Sequence, residues 1–331
     1  MATRAQTDDH ESEAACPRYV LFQSSKQFSS AGEHPTVYKT DKFVIAISAG
    51  YYRSGTLFYT MGTMEDKTVT WKKEKKIELD GNCSFPSVAA TSDGVILLAY
   101  VKSKTSCYYT VGSLTDDDDI EWSQSNLIDD GKSPSISLSI EDDNTHTVVV
   151  AFITAAKRGY TRVGTLDLDQ KTIRWNGEKY EISPFSSDPS FNQISVALSP
   201  NREVVIAYRW GYRKIICQIG KFTTTSHGEC IEFSSTANDN LYGCSPSISI
   251  NKKGHILIIF QSTVGRKLMY QSGVVQPRGM GEGIVWKDRT AELIDYGCYP
   301  SVTLADNDTF IELHGSNFGA SLHYRIGEIQ S

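Results

Sequence analysis

The chain lacks the local signatures of the main enzyme classes. Its 331 residues contain no glycine-rich nucleotide-binding loop, no HExxH pair and no Gly-x-Ser-x-Gly elbow. No motif calls for a cofactor, so we expect none. The 7 cysteines include no CxxC pair, which favours free buried thiols over a disulfide framework. Zinc sites normally contain cysteines at short spacings. Because this chain has no such pair, the sequence predicts no metal site.

Long apolar runs are also absent. No stretch approaches the roughly 20 apolar residues of a membrane span, and the first residues, MATRAQTDDHESEAAC, lack the apolar stretch of a secretory signal. The formal net charge of -6 repels phosphate backbones and anionic lipid headgroups. We therefore expect a cytoplasmic protein that binds neither nucleic acid nor membranes.

One unit recurs about every fifty residues, which is the repeat length of propeller blades. Each copy opens with a strand of the Pro-Ser-apolar type, continues through a polar turn and then has a strongly apolar second strand. The openings are HPTVY at His34, FPSVA at Phe85, SPSIS at Ser133, QISVA at Gln193, SPSIS at Ser245 and YPSVT at Tyr299. Six copies predict an all-β fold, a six-bladed β-propeller of four-stranded blades.

The third and fourth strands carry two further repeated residues. The third strand has a glycine in every copy, and a strand glycine indicates a bulge or a close approach of another backbone. The fourth strand ends on an aromatic residue in the first five copies, and one such residue per blade favours core packing over a row of sugar-stacking platforms. These aromatic residues are Trp71, Trp122, Trp175, Phe233 and Trp286.

The sixth copy has no fourth strand, and the N-terminal segment offers one. The chain stops at YRIGEIQS after the third strand of this copy, whereas RYVLFQSS precedes the first copy and places Phe22 where the fourth-strand aromatic belongs. Pairing the two ends closes the ring and removes exposed strand edges. We predict a single propeller domain over residues 16–331, closed by the N-terminal strand, and a mobile tail over residues 1–15.

Charged residues recur in two sets of loops that open on the same face of a propeller. A ring of basic and acidic side chains there would offer paired donors and acceptors to hydroxyls or carboxylates, which is what polyol recognition requires. Solvated charges at hairpin tips are the alternative. The predicted ligand-binding residues are Arg53, Lys104, Arg158, Trp210, Arg213, Arg266, Asp80, Asp130 and Asp295.

Two smaller groups of residues could carry chemistry. Cys83, Cys244 and Cys298 precede the Pro-Ser prolines of three copies, and we expect unreactive thiols near the channel mouth. The second strand of copy six reads FIELHGS and places Glu312 and His314 on one face, where they could run acid–base chemistry. A hydrogen-bonded pair between blades is the structural alternative.

The repeat as a whole, for example YPSVTLADNDTFIELHGSNFGASLHYRIG, resembles the repeat units of propeller lectins and of sialidase-like propellers. The resemblance concerns architecture and covers the chain from about Arg18. The Ser-x-Asp-x-Gly-x-Thr-Trp box of sialidases is missing, because MEDKTVTW, TDDDDIEW and DLDQKTIRW stand at its places. Six-bladed lectins use repeated shallow pockets between blades, each with a basic residue, an acid and an aromatic.

Three functional hypotheses follow. The first is a carbohydrate-binding protein with several weak, repeated pockets that act through multivalency. The second is an enzyme with one active site at the channel mouth, which uses the asymmetry of copies four and six and acts on a sugar or another small molecule. The third is a scaffold that binds other proteins on one face, since a fold does not fix a function.

Overall fold

The structure is a computed structural model, and it describes residues 19–50, 55–141, 145–182, 191–226, 228–234, 238–276, 283–288, 290–317 and 320–330. The described residues form strands, turns and bends without a helix. No helix of membrane-spanning length and apolarity therefore occurs in this part of the chain.

In chain order the strands are β1 (Tyr19–Phe22), β2 (Lys26–Ser29), β3 (Glu33–Lys39), β4 (Val44–Ala49), β5 (Leu57–Glu65), β6 (Thr68–Trp71), β7 (Lys75–Ile77), β8 (Cys83–Ala90), β9 (Val95–Lys102), β10 (Ser106–Leu114), β11 (Ile120–Trp122), β12 (Asn126–Asp130), β13 (Lys132–Ile140), β14 (His146–Ile153), β15 (Gly159–Asp167), β16 (Thr172–Trp175), β17 (Tyr180–Glu181), β18 (Phe191–Leu198), β19 (Val204–Trp210), β20 (Lys214–Thr225), β21 (Gly228–Phe233), β22 (Asn238–Tyr242), β23 (Cys244–Ile250), β24 (His255–Gln261), β25 (Lys267–Val275), β26 (Ile284–Trp286), β27 (Glu292–Tyr296), β28 (Cys298–Leu304), β29 (Thr309–Gly315) and β30 (Leu322–Gln330).

These strands build six antiparallel sheets, one for each repeat of the sequence. In blade one, β3, β4 and β5 lie side by side, and the outermost position is filled by β6 and then β7, which both pair with β5. The other blades follow the same order. The six-bladed propeller with four strand positions per blade is confirmed, and the outer strand of each blade is split in two.

Blade six closes the ring with the N-terminal segment. β1 pairs antiparallel with β30, and Phe22 lies opposite Gly327, just as Trp71 lies opposite Gly62 in blade one. The predicted closure through the N-terminal strand is therefore confirmed. The predicted mobile tail, residues 1–15, lies outside the described residues.

The third-strand glycines leave room for the aromatic side chain on the strand beside them. A Cβ atom on Gly62 would lie 2.6 Å from Val69 Cγ1 and 3.0 Å from the Trp71 ring, and the glycines of blades two to five are crowded in the same way. The pairing continues through these glycines without a register shift. Of the two expectations for them, close approach is the correct one: fourth-strand side chains approach in blades one to five, and backbone oxygens approach Gly273 and Gly327.

The hydrophobic core consists of six clusters, and each one fills the interface between two neighbouring blades. The second strands supply most of it, because neighbouring blades cover both of their faces. At the closing interface, Val44 and Val69 of blade one pack with Ile311, Leu313 and Ile326 of blade six. The fourth-strand aromatic residues pack against these clusters, as their core interpretation predicts.

The Pro-Ser motif has a structural role that explains its recurrence. In each blade the hydroxyl of the motif's Ser, or of Thr36 in blade one, accepts the backbone N–H of the next blade's first strand. Ser301 Oγ accepts from Val37 N at 3.0 Å and so joins the last blade to the first. The other acceptors are Thr36, Ser87, Ser135, Ser195 and Ser247, with donors Val88, Ile136, Val196, Ile248 and Val302. Six side-chain bonds thus encircle the axis.

Candidate functional site

A β-bulge at the start of each first strand turns one side chain toward the axis. The register of β28 against β29 shifts between Cys298 and Ser301, and Tyr299 there has φ of 52°. The same left-handed backbone occurs at the residue before the motif's proline in four other blades: His34, Phe85, Ser133 and Ser245. Non-glycine residues rarely adopt this conformation, and it concentrates at functional sites.

Four of these residues, His34, Phe85, Ser133 and Tyr299, line a cavity of about 1240 Å³ that opens on the face formed by the second-to-third-strand loops and the links between blades. Both loop sets contribute to its wall, as do the ends of β4 and β29. Its lining includes Glu33, His34, Gly55, Asn82, Cys83, Phe85, Lys104, Lys132, Ser133, Gln193, Arg266, Cys298, Tyr299, Ser316 and Asn317.

Three rings from blades one, two and six form one aromatic surface in this cavity. The His34 imidazole lies between the other two rings, with its centroid 4.3 Å from that of Phe85 and 3.9 Å from that of Tyr299. Burial lowers the pKa of His34 to about 4, so the imidazole is neutral at physiological pH. Phe85 and Tyr299 remain 38% and 37% exposed, which leaves ring faces for a ligand.

The charge of the cavity is positive although the chain as a whole is negative. Among the described residues that line it are three cations, Lys104, Lys132 and Arg266, and one carboxylate, Glu33. The Arg266 guanidinium is fixed at the rim, where Nη1 donates to the carbonyl oxygen of Asn317 at 2.5 Å. A concave, partly desolvated site with an excess of cations favours an anionic group in its ligand.

The cavity offers no activated thiol. Burial raises the pKa of Cys83 to about 11, and burial also raises the pKa of Cys298. A thiol with a raised pKa stays protonated and is neither a good nucleophile nor a metal ligand. In the part of the chain that the structure describes, no group of three or more His, Cys, Asp or Glu side chains could hold a metal ion. Cys83, Cys244 and Cys298 are free thiols, and the first and last of them line the cavity.

Two of the residues predicted to bind ligand, Lys104 and Arg266, line the cavity. The remaining described ones lie away from its wall: Asp80, Asp130, Arg158, Trp210, Arg213 and Asp295. Arg158 pairs with Glu181 at 3.0 Å, and Asp130 accepts from the Ser106 hydroxyl at 2.9 Å. Arg53 lies outside the described residues.

Glu312 and His314 lie between blades five and six rather than in the cavity. Both side chains are buried, and His314 Nδ1 is 3.0 Å from Glu312 Oε2. His314 Nε2 is 3.7 Å from Asp295, which also pairs with Arg325. This is the hydrogen-bonded pair between blades, the structural alternative to a catalytic pair. Asp295, predicted as a ligand-binding residue, is a member of the same charge cluster.

Sequence reasoning did not single out the aromatic trio of His34, Phe85 and Tyr299. All three stand directly before a motif proline and were visible as the first letter of each repeat. The missing information was the backbone conformation, because a residue before proline ordinarily takes an extended conformation and would not turn toward the axis. The signal that could have found them is their variation within an otherwise constant motif.

No protein-family model matches the chain, and no curated protein matches its sequence. Solved structures do share the fold. A crystal structure of a protein of unknown function from Dyadobacter fermentans is 12% identical, with a TM-score of 0.64 over 94% of this chain and 99% of that one. The SapL1 lectin in complex with alpha methyl fucoside is 9% identical, with a TM-score of 0.55 over 88% of this chain and 90% of the lectin.

Sialidases have the same blade arrangement. The Trypanosoma rangeli sialidase in complex with the inhibitor DANA is 12% identical, with a TM-score of 0.56 over 91% of this chain. This chain spans 55% of that sialidase's length. The resemblance to propeller lectins and sialidase-like propellers, drawn from the repeat, is thus confirmed at the level of the fold.

Proposed function

We propose that this chain binds carbohydrate, and that the ligand is an acidic sugar held in the axial cavity. The observation that carries the proposal is the combination of one aromatic surface, His34 with Phe85 and Tyr299, and three cations around the same cavity. Aromatic faces stack on the apolar faces of sugar rings, and cationic side chains donate charge-assisted hydrogen bonds to carboxylates.

The protonation states of the side chains that line the cavity favour an anionic ligand. With His34 neutral and the Cys83 and Cys298 thiols protonated, the charge at physiological pH comes from the lysines, Arg266 and Glu33. The cavity has a net positive charge in a chain whose formal charge is -6. A locally positive field attracts anionic ligands to the cavity even though the whole molecule is negatively charged.

The geometry favours one axial site over the repeated pockets that the sequence predicts. Arg266 and Arg213 occupy equivalent hairpins, and each carbonyl oxygen accepts a glycine N–H from the following link, Gly297 at 2.8 Å and Gly243 at 2.7 Å. Of these two arginines Arg266 lines the cavity and Arg213 does not. Equivalent positions in the repeat are therefore not equivalent in the site.

The fold is compatible with this proposal. Proteins with the same architecture include a lectin in complex with a fucoside and a sialidase in complex with an inhibitor. Among the described residues, no specific observation favours the enzyme hypothesis, because Glu312 and His314 are buried and bonded to each other away from the cavity. The scaffold hypothesis likewise stays a prediction.

The test is a glycan array that carries acidic and neutral glycans, probed with the wild-type chain and with two matched variants. We expect binding to glycans with carboxylate or sulfate groups, and a loss of about tenfold or more in the Arg266→Gln variant. Arg213→Gln, the matched control, keeps wild-type binding. Equal losses in both variants would favour repeated pockets, and a wild-type array without signal would overturn the proposal.

A further inference from the structure

Two links between blades carry an exposed tyrosine at the same place in the repeat. The sequence Tyr-Gly-Cys-x-Pro-Ser occurs at residues 242–247 and again at residues 296–301. Tyr242 ends β22 and is 57% exposed, and Tyr296 ends β27 and is 49% exposed. The equivalent position is Ala31, Asn82 and Asp130 in the links before blades one, two and three. The aromatic residue thus belongs to one side of the ring.

The glycine after each tyrosine holds the link against the neighbouring hairpin. A Cβ atom on Gly297 would lie 2.7 Å from the His314 ring and 2.7 Å from the carbonyl oxygen of Gly315, and Gly243 is crowded in the same way by Phe260. The N–H of Gly297 donates to the carbonyl oxygen of Arg266 at 2.8 Å. Each tyrosine is therefore carried by a well-packed backbone, although its own ring is exposed.

Both tyrosines are close in sequence to residues that surround the propeller axis. Tyr296 precedes Tyr299 of the aromatic trio by three positions, and its link is bonded to Arg266 of the cavity wall. Tyr242 precedes Ser245 by three positions, and Ser245 lies in the ring of residues around the axis. Tyr296 and Tyr242 therefore occupy equivalent places on neighbouring blade links, and of these two links it is the one with Tyr296 that is bonded to a residue of the cavity wall.

We propose that Tyr296 and Tyr242 are stacking subsites for the second and later sugar residues of an extended glycan whose end occupies the axial cavity. The inference rests on the proposed function and deepens it, because it makes the ligand an oligosaccharide chain rather than a single sugar. An exposed tyrosine supplies a large, rigid ring face at little entropic cost, and neighbouring faces suit successive residues of one chain.

The test measures affinity against glycan length. Galacturonic acid oligomers of one to six residues serve as acidic probes and chitin oligomers of the same lengths as neutral ones, in calorimetric titrations of the whole chain. We expect the affinity of the acidic series to rise with length. Tyr296→Ala lowers the affinity for the longer oligomers by about three- to tenfold and leaves that for the single sugar unchanged, and Tyr242→Ala affects the longest oligomers alone.

Two control variants separate stacking from other effects. Tyr296→Phe keeps the ring and therefore the affinity, and Tyr180→Ala removes a tyrosine that is 42% exposed on the outer strand of blade three and changes nothing. An affinity that is independent of length, or an equal loss in Tyr180→Ala, overturns the subsites while binding in the cavity stands. No binding of either series at any length overturns both the subsites and the proposed function.

Discussion

Ser301 Oγ accepts the backbone N–H of Val37 at 3.0 Å, and this bond joins two residues 264 positions apart in the chain. It is the ring-closing member of the six hydroxyl-to-backbone bonds around the axis. Because the acceptor is supplied by one blade and the donor by the next, each bond reports directly on the contact between two blades.

Replacing Ser301 by Ala tests the contribution of this bond. The Val37 N–H would stay buried without an acceptor, and such a group costs about 1–3 kcal/mol. We expect the free energy of unfolding to fall by that amount in Ser301→Ala, as measured by denaturant titration. Ser113→Ala, at a half-buried strand position in blade two, is the control and changes it by less than about 0.5 kcal/mol. Equal values for both variants would show that the hydroxyl ring contributes nothing.

Gly327 lies where blade six pairs with the N-terminal strand. A Cβ atom there would lie 2.1 Å from the Phe310 ring and 2.4 Å from the carbonyl oxygen of Leu21. We expect Gly327→Ala to lower the free energy of unfolding by about 3 kcal/mol or more, since β1 would have to move. Gly283→Ala meets no atom within 4 Å and serves as the matched control in the same thermal melts. A Gly327→Ala protein as stable as Gly283→Ala would contradict the observed closure.

The buried pair of Glu312 and His314 makes stability depend on pH. Burial lowers the pKa of His314, but the Glu312 and Asp295 carboxylates together outweigh burial, and the net pKa lies above the usual value of 6.5. Because the folded-state pKa is raised, the protonated pair stabilises the fold fully below about pH 6.5, and this contribution is lost as the pH rises through the folded pKa.

The residues at the same two positions in blade five suggest a double substitution that tests the pH dependence of stability. Ile258 and Phe260 occupy the places of Glu312 and His314 in blade five. The double variant Glu312→Ile/His314→Phe should lose the stability decrease that the wild-type chain shows above pH 6.5, because neither new side chain titrates. Replacing a buried ion pair by well-packed apolar groups is often neutral or stabilising. Identical pH profiles of unfolding for the two proteins would refute the role of the pair.

The lowered pKa of His34 predicts that the affinity for ligand changes little with pH. Its pKa of about 4 keeps the imidazole neutral from pH 7 to pH 5, so His34 adds no charge to the cavity over that range. We expect the dissociation constant of an acidic glycan to change by less than about twofold between pH 7 and pH 5 in calorimetric titrations. A sharp increase in affinity near pH 6.5 would mean that His34 titrates like an exposed histidine.

Sequence reasoning predicted the fold well and the site only in part. Each repeat carries the same residue types at the same strand positions, so the missing fourth strand of copy six and the fourth-strand aromatic at Phe22 together indicated ring closure. The site depends on the left-handed bulges at residues such as Tyr299 and Phe85, which no period reveals. Lys104 and Arg266 line the cavity, whereas Arg158 and Asp130 form pairs elsewhere, and a ligand-binding role stays a prediction for all of them.

Other expectations stay predictions. The cytoplasmic location and the exclusion of nucleic acid and membrane surfaces came from the N-terminal residues and the net charge, and the arrangement of the blades does not bear on them. The single domain over residues 16–331 is likewise a prediction beyond the described ranges.

The stoichiometry of ligand binding tests the central claim most directly. Isothermal titration of the chain with the acidic glycan that gives the strongest array signal should yield one ligand per chain, since one axial cavity combines the aromatic trio with Lys104, Lys132 and Arg266. The same titration of Arg266→Gln should show the affinity lowered by about tenfold or more. A stoichiometry of several ligands per chain, or an Arg266→Gln protein that binds as tightly as the wild type, would contradict binding in the axial cavity.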